Sequence, residues 1–249
     1  MKKIVLPLLS ATIACAAFIA CKKSSSTSTT TTTNATLPAM YAKFNSGLQI
    51  YTEGNFVVIK TTSVPDHKSP YFATTDARYE VYNGSNASFA LNPNRIIDQS
   101  LTFKIPVTPT EATAKSATPL GPIGVSLNGV AIFNQYAGPG TPLTNEINSF
   151  DQYNGHPQQT GQYHYHVEPK YITTQKGKNA LLGVLLDGYP VYGPVENGVT
   201  LTSASLDAYH GHTSATADFP NGIYHYHITA DAPYINGNGF WGTPGTVTQ

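Results

Sequence analysis

From Leu37 onward, apolar positions come in short runs separated by turn signals, with no stretch that keeps a helical period for long. Asn55-Phe56-Val57-Val58-Ile59-Lys60, Ser100-Leu101-Thr102-Phe103-Lys104-Ile105 and Gly183-Val184-Leu185-Leu186 are β-branched and aromatic runs of strand length. Asn-Gly or Asp-Gly stands at 83, 128, 154, 187, 197, 221, 236 and 238, the strongest short-range signal for a tight turn. Eighteen prolines and twenty-one glycines leave little room for long helices. The best helix candidates are short, around Thr110 to Ser116 and Ser203 to Tyr209. The pattern predicts a mainly β single domain, sandwich or barrel-like.

The same pattern is written twice. Gly124-Val125-Ser126-Leu127-Asn128-Gly129-Val130-Ala131-Ile132-Phe133 aligns with Gly183-Val184-Leu185-Leu186-Asp187-Gly188-Tyr189-Pro190-Val191-Tyr192. Asp151-Gln152-Tyr153-Asn154-Gly155-His156 aligns with Asp207-Ala208-Tyr209-His210-Gly211-His212. Each copy then ends in Gly-x-Tyr-His-Tyr-His, at 161–166 and 222–227. Three matched blocks in one order, offset by roughly sixty residues, predict two tandem pseudo-symmetric repeats. Their spans are about 122–166 and 181–227.

The chain ends add a different character. Lys2 and Lys3 precede a mostly apolar run over 4–20, too short for a comfortable membrane span. It stops at Phe18-Ile19-Ala20-Cys21, which resembles a bacterial lipobox. The expectation is a lipoprotein signal peptide over 1–20 and a lipidated Cys21 attached to the membrane. A Ser/Thr-rich tether over 21–36 would then carry a β domain over 37–249 in the cell envelope, facing the periplasm or cell exterior. Cys15 and Cys21 are the only cysteines, so that domain has neither a disulfide nor a thiolate ligand. Fourteen basic and fourteen acidic residues balance to zero, which suggests neither a nucleic-acid surface nor a polybasic membrane patch.

Seven of the eight histidines fall between 156 and 227. On a strand, alternate side chains share a face, so His164 and His166 point one way and Tyr163 and Tyr165 the other. His225 and His227 do the same opposite Tyr224 and Tyr226. The tyrosines are expected to line the core. The histidines, joined by His156 and His212 from the Gly-His blocks, are candidate metal ligands, because neutral imidazole is the commonest protein ligand. His67, His210, Asp151, Asp187 and Asp207 are possible further ligands or groups that orient an imidazole. A ligand set of nitrogen and oxygen without sulfur favours copper or zinc. If the two His-x-His strands lie side by side, four imidazoles can meet on one ion; if they lie apart, each repeat uses its own three. A metal-dependent hydrolase or oxidoreductase is the alternative, with Asp187, Glu168 or Asp207 as general base. Metal-free acid–base chemistry and a surface-binding module are weaker readings, the latter because Trp241 is the only tryptophan. Neither a nucleophile elbow, a phosphate loop nor a dinucleotide fingerprint occurs.

Gly124 to Phe133, the Gly-His at 155–156, both Tyr-His-Tyr-His strands and Leu185-Leu186-Asp187-Gly188-Tyr189-Pro190-Val191-Tyr192-Gly193-Pro194 together resemble the YHYH-domain family of exported bacterial proteins. The resemblance runs from about Val57, through Pro65-Asp66-His67, to Phe240. It implies an exported domain but transfers no reaction. Many relatives carry cysteines near the Gly-His motifs, where Tyr153 and Tyr209 stand here.

Overall fold

In the computed structural model, residues 34–249 are described, together with Met1 and Lys3; the leader, the lipobox around Cys21 and most of the tether lie outside the described residues. Sixteen strands and one α-helix follow a 3-10 turn at Ala39–Lys43. The first hairpin is β1 (Gln49–Glu53) and β2 (Phe56–Thr61), with β3 (Leu101–Pro106) antiparallel to β2. In β3 the alternation is clean: Leu101, Phe103 and Ile105 are buried while Thr102, Lys104 and Pro106 are not.

The first repeat then supplies β4 (Pro122–Ser126), β5 (Ala131–Phe133), a small ribbon of β6 (Tyr136–Ala137) and β7 (Thr141–Pro142), β8 (Gly155–Pro157) and β9 (Tyr163–Tyr165). After the helix α1 (Lys170–Lys176), the second supplies β10 (Leu181–Leu185), β11 (Pro190–Tyr192), a ribbon of β12 (Val195–Glu196) and β13 (Val199–Thr200), β14 (Gly211–Ser214) and β15 (Ile223–His227). β16 (Thr246–Thr248) returns to pair with β3.

Two sheets result. One has the order β1-β2-β3-β16, the other β14-β15-β11-β10-β4-β5-β9-β8. Each repeat contributes a quartet with the same pairings. β4 with β5 and β10 with β11 are antiparallel hairpins, β5 with β9 and β11 with β15 are parallel, and β8 with β9 and β14 with β15 are antiparallel. The quartets join where β4 meets β10. The larger sheet has free ends at β14 and β8, so the architecture is sandwich-like and not a closed barrel. Val57, Ile59, Phe103 and Ile105 from the smaller sheet share one core with Ile123, Val125, Leu182 and Val184 from the larger. Strands β4 and β10 are central and almost wholly buried, which is why β10 reads as an unbroken apolar run and β4 breaks only at Ser126.

The helix expectations fail in detail. Thr110 to Ser116 is irregular, with Glu111 bridging Gly242 and a bend at 113–114, and Ser203 to Tyr209 condenses to a 3-10 turn at Ser203–Ser205. Helix α1 was not anticipated. At seven residues it is too short to impose a period on the sequence, and its packing through Ile172 and Thr173 holds it.

Candidate metal centres

Among the described residues two clusters of ligand atoms form, one in each repeat. Glu146, His156, His164 and His166 make the first; Glu196, His212, His225 and His227 make the second. In each, the ligand atoms all lie within 4.8 Å of one another. β9 and β15 are separated by four strands of the sheet, so the histidines form two sites and do not converge on one.

Strand geometry explains each triad. His164 and His166 are two apart on β9, and His156 is the residue directly opposite His164 on β8. His225 and His227 are likewise two apart on β15, with His212 opposite His225 on β14. Residues at i, i+2 and the cross-strand partner of i share one face, about 5 Å apart across the strands and about 6.6 Å along one. The six histidines predicted as ligands therefore all enter the clusters.

Hydrogen bonding fixes which nitrogen points inward. His164 Nδ1 lies 3.0 Å from the carbonyl of Gln162, and His166 Nδ1 lies 2.6 Å from that of Asn134. A carbonyl only accepts, so both Nδ1 atoms carry the hydrogen and both neutral rings present a bare Nε2. Those two Nε2 atoms face each other at 2.9 Å, and His156 Nε2 stands 3.1 Å from His164 Nε2. Ser149 Oγ donates to the Glu146 carbonyl, leaving its lone pairs for the Nδ1–H of His156 at 2.7 Å. The second cluster repeats the device. His225 Nδ1 donates to the Ile223 carbonyl at 2.9 Å and His227 Nδ1 to that of Gly193 at 2.8 Å. The Nε2 atoms of His212, His225 and His227 are buried and make no hydrogen bond.

Protonation does not relieve the crowding. Burial and the neighbouring imidazoles hold His164 well below its ordinary value, and burial brings His166 and His227 to about 4. Burial also lowers His225. His164, His166, His225 and His227 are therefore held in their neutral forms, with the ligand atoms of each cluster gathered within 4.8 Å of one another. A metal cation among those atoms fits this donor set. A carboxylate completes each one. Glu146 Oε1 lies 3.2 Å from His156 Nε2, and that contact holds Glu146 below its usual range. Glu196 Oε2 lies 3.1 Å from His212 Nε2; burial alone would raise Glu196, but the Ser214 hydroxyl at 2.5 Å and the imidazoles bring it lower.

The two glutamates were missed because they come from segments the repeats do not share: Glu146 from a 3-10 turn (Glu146–Ser149), Glu196 from β12. One signal was available. Between hairpin and Gly-His block each repeat has a single glutamate, and apart from the matched aspartate it is the only acidic residue there.

The aspartates serve the other face. Asp151 accepts from the Tyr163 hydroxyl at 2.9 Å and Asp207 from that of Tyr224 at 3.0 Å, while each caps its own turn through backbone N–H groups. Asp187 accepts from Tyr226 at 2.6 Å; Asn128, its counterpart, donates to Tyr165 at 3.2 Å. Asp151, Asp187 and Asp207 therefore lie outside both clusters, and their side chains bond phenols and backbone N–H groups. His67 receives the Tyr165 hydroxyl at 3.1 Å on its Nε2 and gives its Nδ1–H to the Lys68 carbonyl. His210 sits at a left-handed turn position (φ 72°), as Asn154 does (φ 68°), with its Nε2 on Ser203 and Thr229. Neither joins a cluster. Glu168 takes the Thr173 hydroxyl, away from both.

Glycine before the histidine has a packing reason. A Cβ on Gly155 would fall on the Tyr163 ring, and one on Gly211 on that of Tyr224.

A family model described as YHYH protein matches residues 102–202 and 195–239, more than half the chain. No curated protein and no solved structure matches it.

Proposed function

The chain belongs to the YHYH protein family, and from that premise we propose that it is a cell-envelope protein holding two transition-metal ions, one in each histidine cluster. The observation that carries this is the pair of bare Nε2 atoms of His164 and His166, buried and facing each other at 2.9 Å. Two buried acceptors so placed repel unless a cation lies between them, since each unsatisfied buried group costs about 1–3 kcal/mol. Three imidazoles and a carboxylate suit copper(II) or zinc, with copper the tighter in the usual order. Nδ1 bonds to backbone carbonyls give each imidazole its tautomer and direction.

Elemental analysis of the full chain tests this beside a variant with His164, His166, His225 and His227 changed to Ala. The expected result is two equivalents of copper or zinc in the wild type and little in the variant. Equal content in the two overturns the proposal.

Attachment through a lipidated Cys21 is part of the same proposal. It rests on Phe18-Ile19-Ala20-Cys21 at the end of the apolar run. Cys21→Ser should move the chain from the membrane fraction to the soluble one on cell fractionation. A chain that stays with the membrane after that change has no anchor there.

A further inference from the structure

The two clusters share a donor set but not an environment. In the first, Phe133 stacks on His164 at 3.9 Å and 21°, and Phe150 packs on His156 at 4.8 Å and parallel to His166 at 5.8 Å. Both phenylalanines are buried, and the His156 side chain is only 4% exposed. The nearby cavity that reaches Glu146 includes none of the first site's histidines. In the second, Tyr192 replaces Phe133 and meets His225 edge-on at 5.2 Å. The His212 side chain is 30% exposed. His225, His227 and Glu196 form part of the wall of a cleft of about 500 Å³.

That cleft has its own polar equipment. Lys43 and Lys176 line it, as do Thr216 and Asp218. Asp218 is held by Lys43 at 2.5 Å and by the Tyr192 hydroxyl at 2.9 Å. Two lysines balance Asp218 and Glu196, so the lining carries no net charge until a divalent ion enters. An ion there makes the cleft net positive. His225 and His227, both at least 98% buried, line it, and their buried Nε2 atoms make no hydrogen bond.

We propose that the second centre is an open one whose metal takes a small anionic ligand of the carboxylate class from the cleft, whereas the first is closed and structural. This rests on the reading that both clusters hold metal. The ion accepts a carboxylate oxygen at a position the four protein groups leave free, and Lys176 draws the anion in. Closed coordination suits structural ions and open coordination suits ligand-binding ones.

The test uses the full chain saturated with copper(II) and titrated with oxalate, read by electron paramagnetic resonance. Copper content is measured first. Absence of copper in the wild type overturns the metal reading and this inference with it. With two coppers bound, oxalate is expected to shift the signal of one and leave the other unchanged. His164→Ala/His166→Ala should keep the oxalate-sensitive signal, and His225→Ala/His227→Ala should lose it. A chelator should remove one copper quickly and the other slowly, a readout that needs no variant. Lys176 is exposed, and Lys176→Gln should weaken oxalate binding about two- to fivefold, the range for one exposed charge. Two coppers that respond alike, or neither responding, overturn the inference while leaving the metal reading standing.

Discussion

Replacing His164 by Phe separates a ligand from a packed core histidine. An aromatic ring is kept, slightly larger than the imidazole, so a stack on Phe133 is still available, but both nitrogens go. Without metal, the wild type holds the bare Nε2 atoms of His164 and His166 at 2.9 Å. At about 1–3 kcal/mol for each unsatisfied buried acceptor, the pair costs the metal-free fold roughly 2–6 kcal/mol. The substitution removes one of those atoms. It also deletes the hydrogen bond to Gln162, worth about 1 kcal/mol. The metal-free variant should then be no less stable than the metal-free wild type, to within about 1 kcal/mol. The metal-bound forms should differ sharply. Free copper at a thousandfold excess over its dissociation constant stabilises a site by about 4 kcal/mol. For a domain of this size that raises the melting temperature by about 8–16 °C at 2–4 °C per kcal/mol. Scanning calorimetry, with and without copper, reads all four states. To isolate the first site, the comparison is made in a His225→Ala/His227→Ala background. Ordinary core packing would give the opposite pattern, with His164→Phe costing several kcal/mol without metal and copper raising the melting temperature equally in both. That result would refute the assignment.

The tyrosine face makes its own predictions. Tyr163→Phe removes one donor from the buried Asp151 carboxylate, which keeps Ser69 at 2.6 Å and two backbone N–H groups. A loss of about 1.5–3 kcal/mol in urea unfolding is expected, and an unchanged midpoint would count against the network. Burial pushes the Asp187 carboxyl from its ordinary 3.8 up to about 6. Because the folded value is the higher, the group's contribution is present below pH ~3.8 and is lost as pH rises through ~6. Across that window the wild type should lose on the order of 3 kcal/mol relative to Asp187→Asn. Parallel stability curves for the two would rule this out. Gly155→Ala drives a methyl into the Tyr163 ring and should cost about 1–3 kcal/mol in calorimetry. Full stability in that variant would mean the ring moves freely.

A good part of the architecture was legible before any coordinates. Hairpin turns at Asn128-Gly129 and Asp187-Gly188 fall where the Asx-Gly signal puts them, since glycine takes the left-handed conformation there (φ +83° and +87°). Period-two alternation placed Tyr163 and Tyr165 opposite His164 and His166, and the structure keeps them so. The grouping of six histidines into two threes followed from that alternation and from the repeat. Legibility ended where partners come from unmatched segments. Glu146 and Glu196 enter from a turn and a ribbon with no common sequence position. The aspartates looked like ligands because acidic residues near histidines usually invite that reading. Their partners are instead phenols on the reverse of the same strands.

By itself, then, the sequence determined what is local: strands, tight turns, the two-faced Tyr-His-Tyr-His unit and its duplication. Each follows from the pleat's period of two or from the φ a turn demands, and these act over a few residues. Only the tertiary structure decided the rest. Strand order put β9 and β15 near opposite ends of one sheet, which made two histidine clusters and excluded a single shared one. Packing laid Phe133 and Phe150 over the first and opened a cleft at the second. Those outcomes depend on contacts between segments far apart in the chain, and no local period encodes which segments meet.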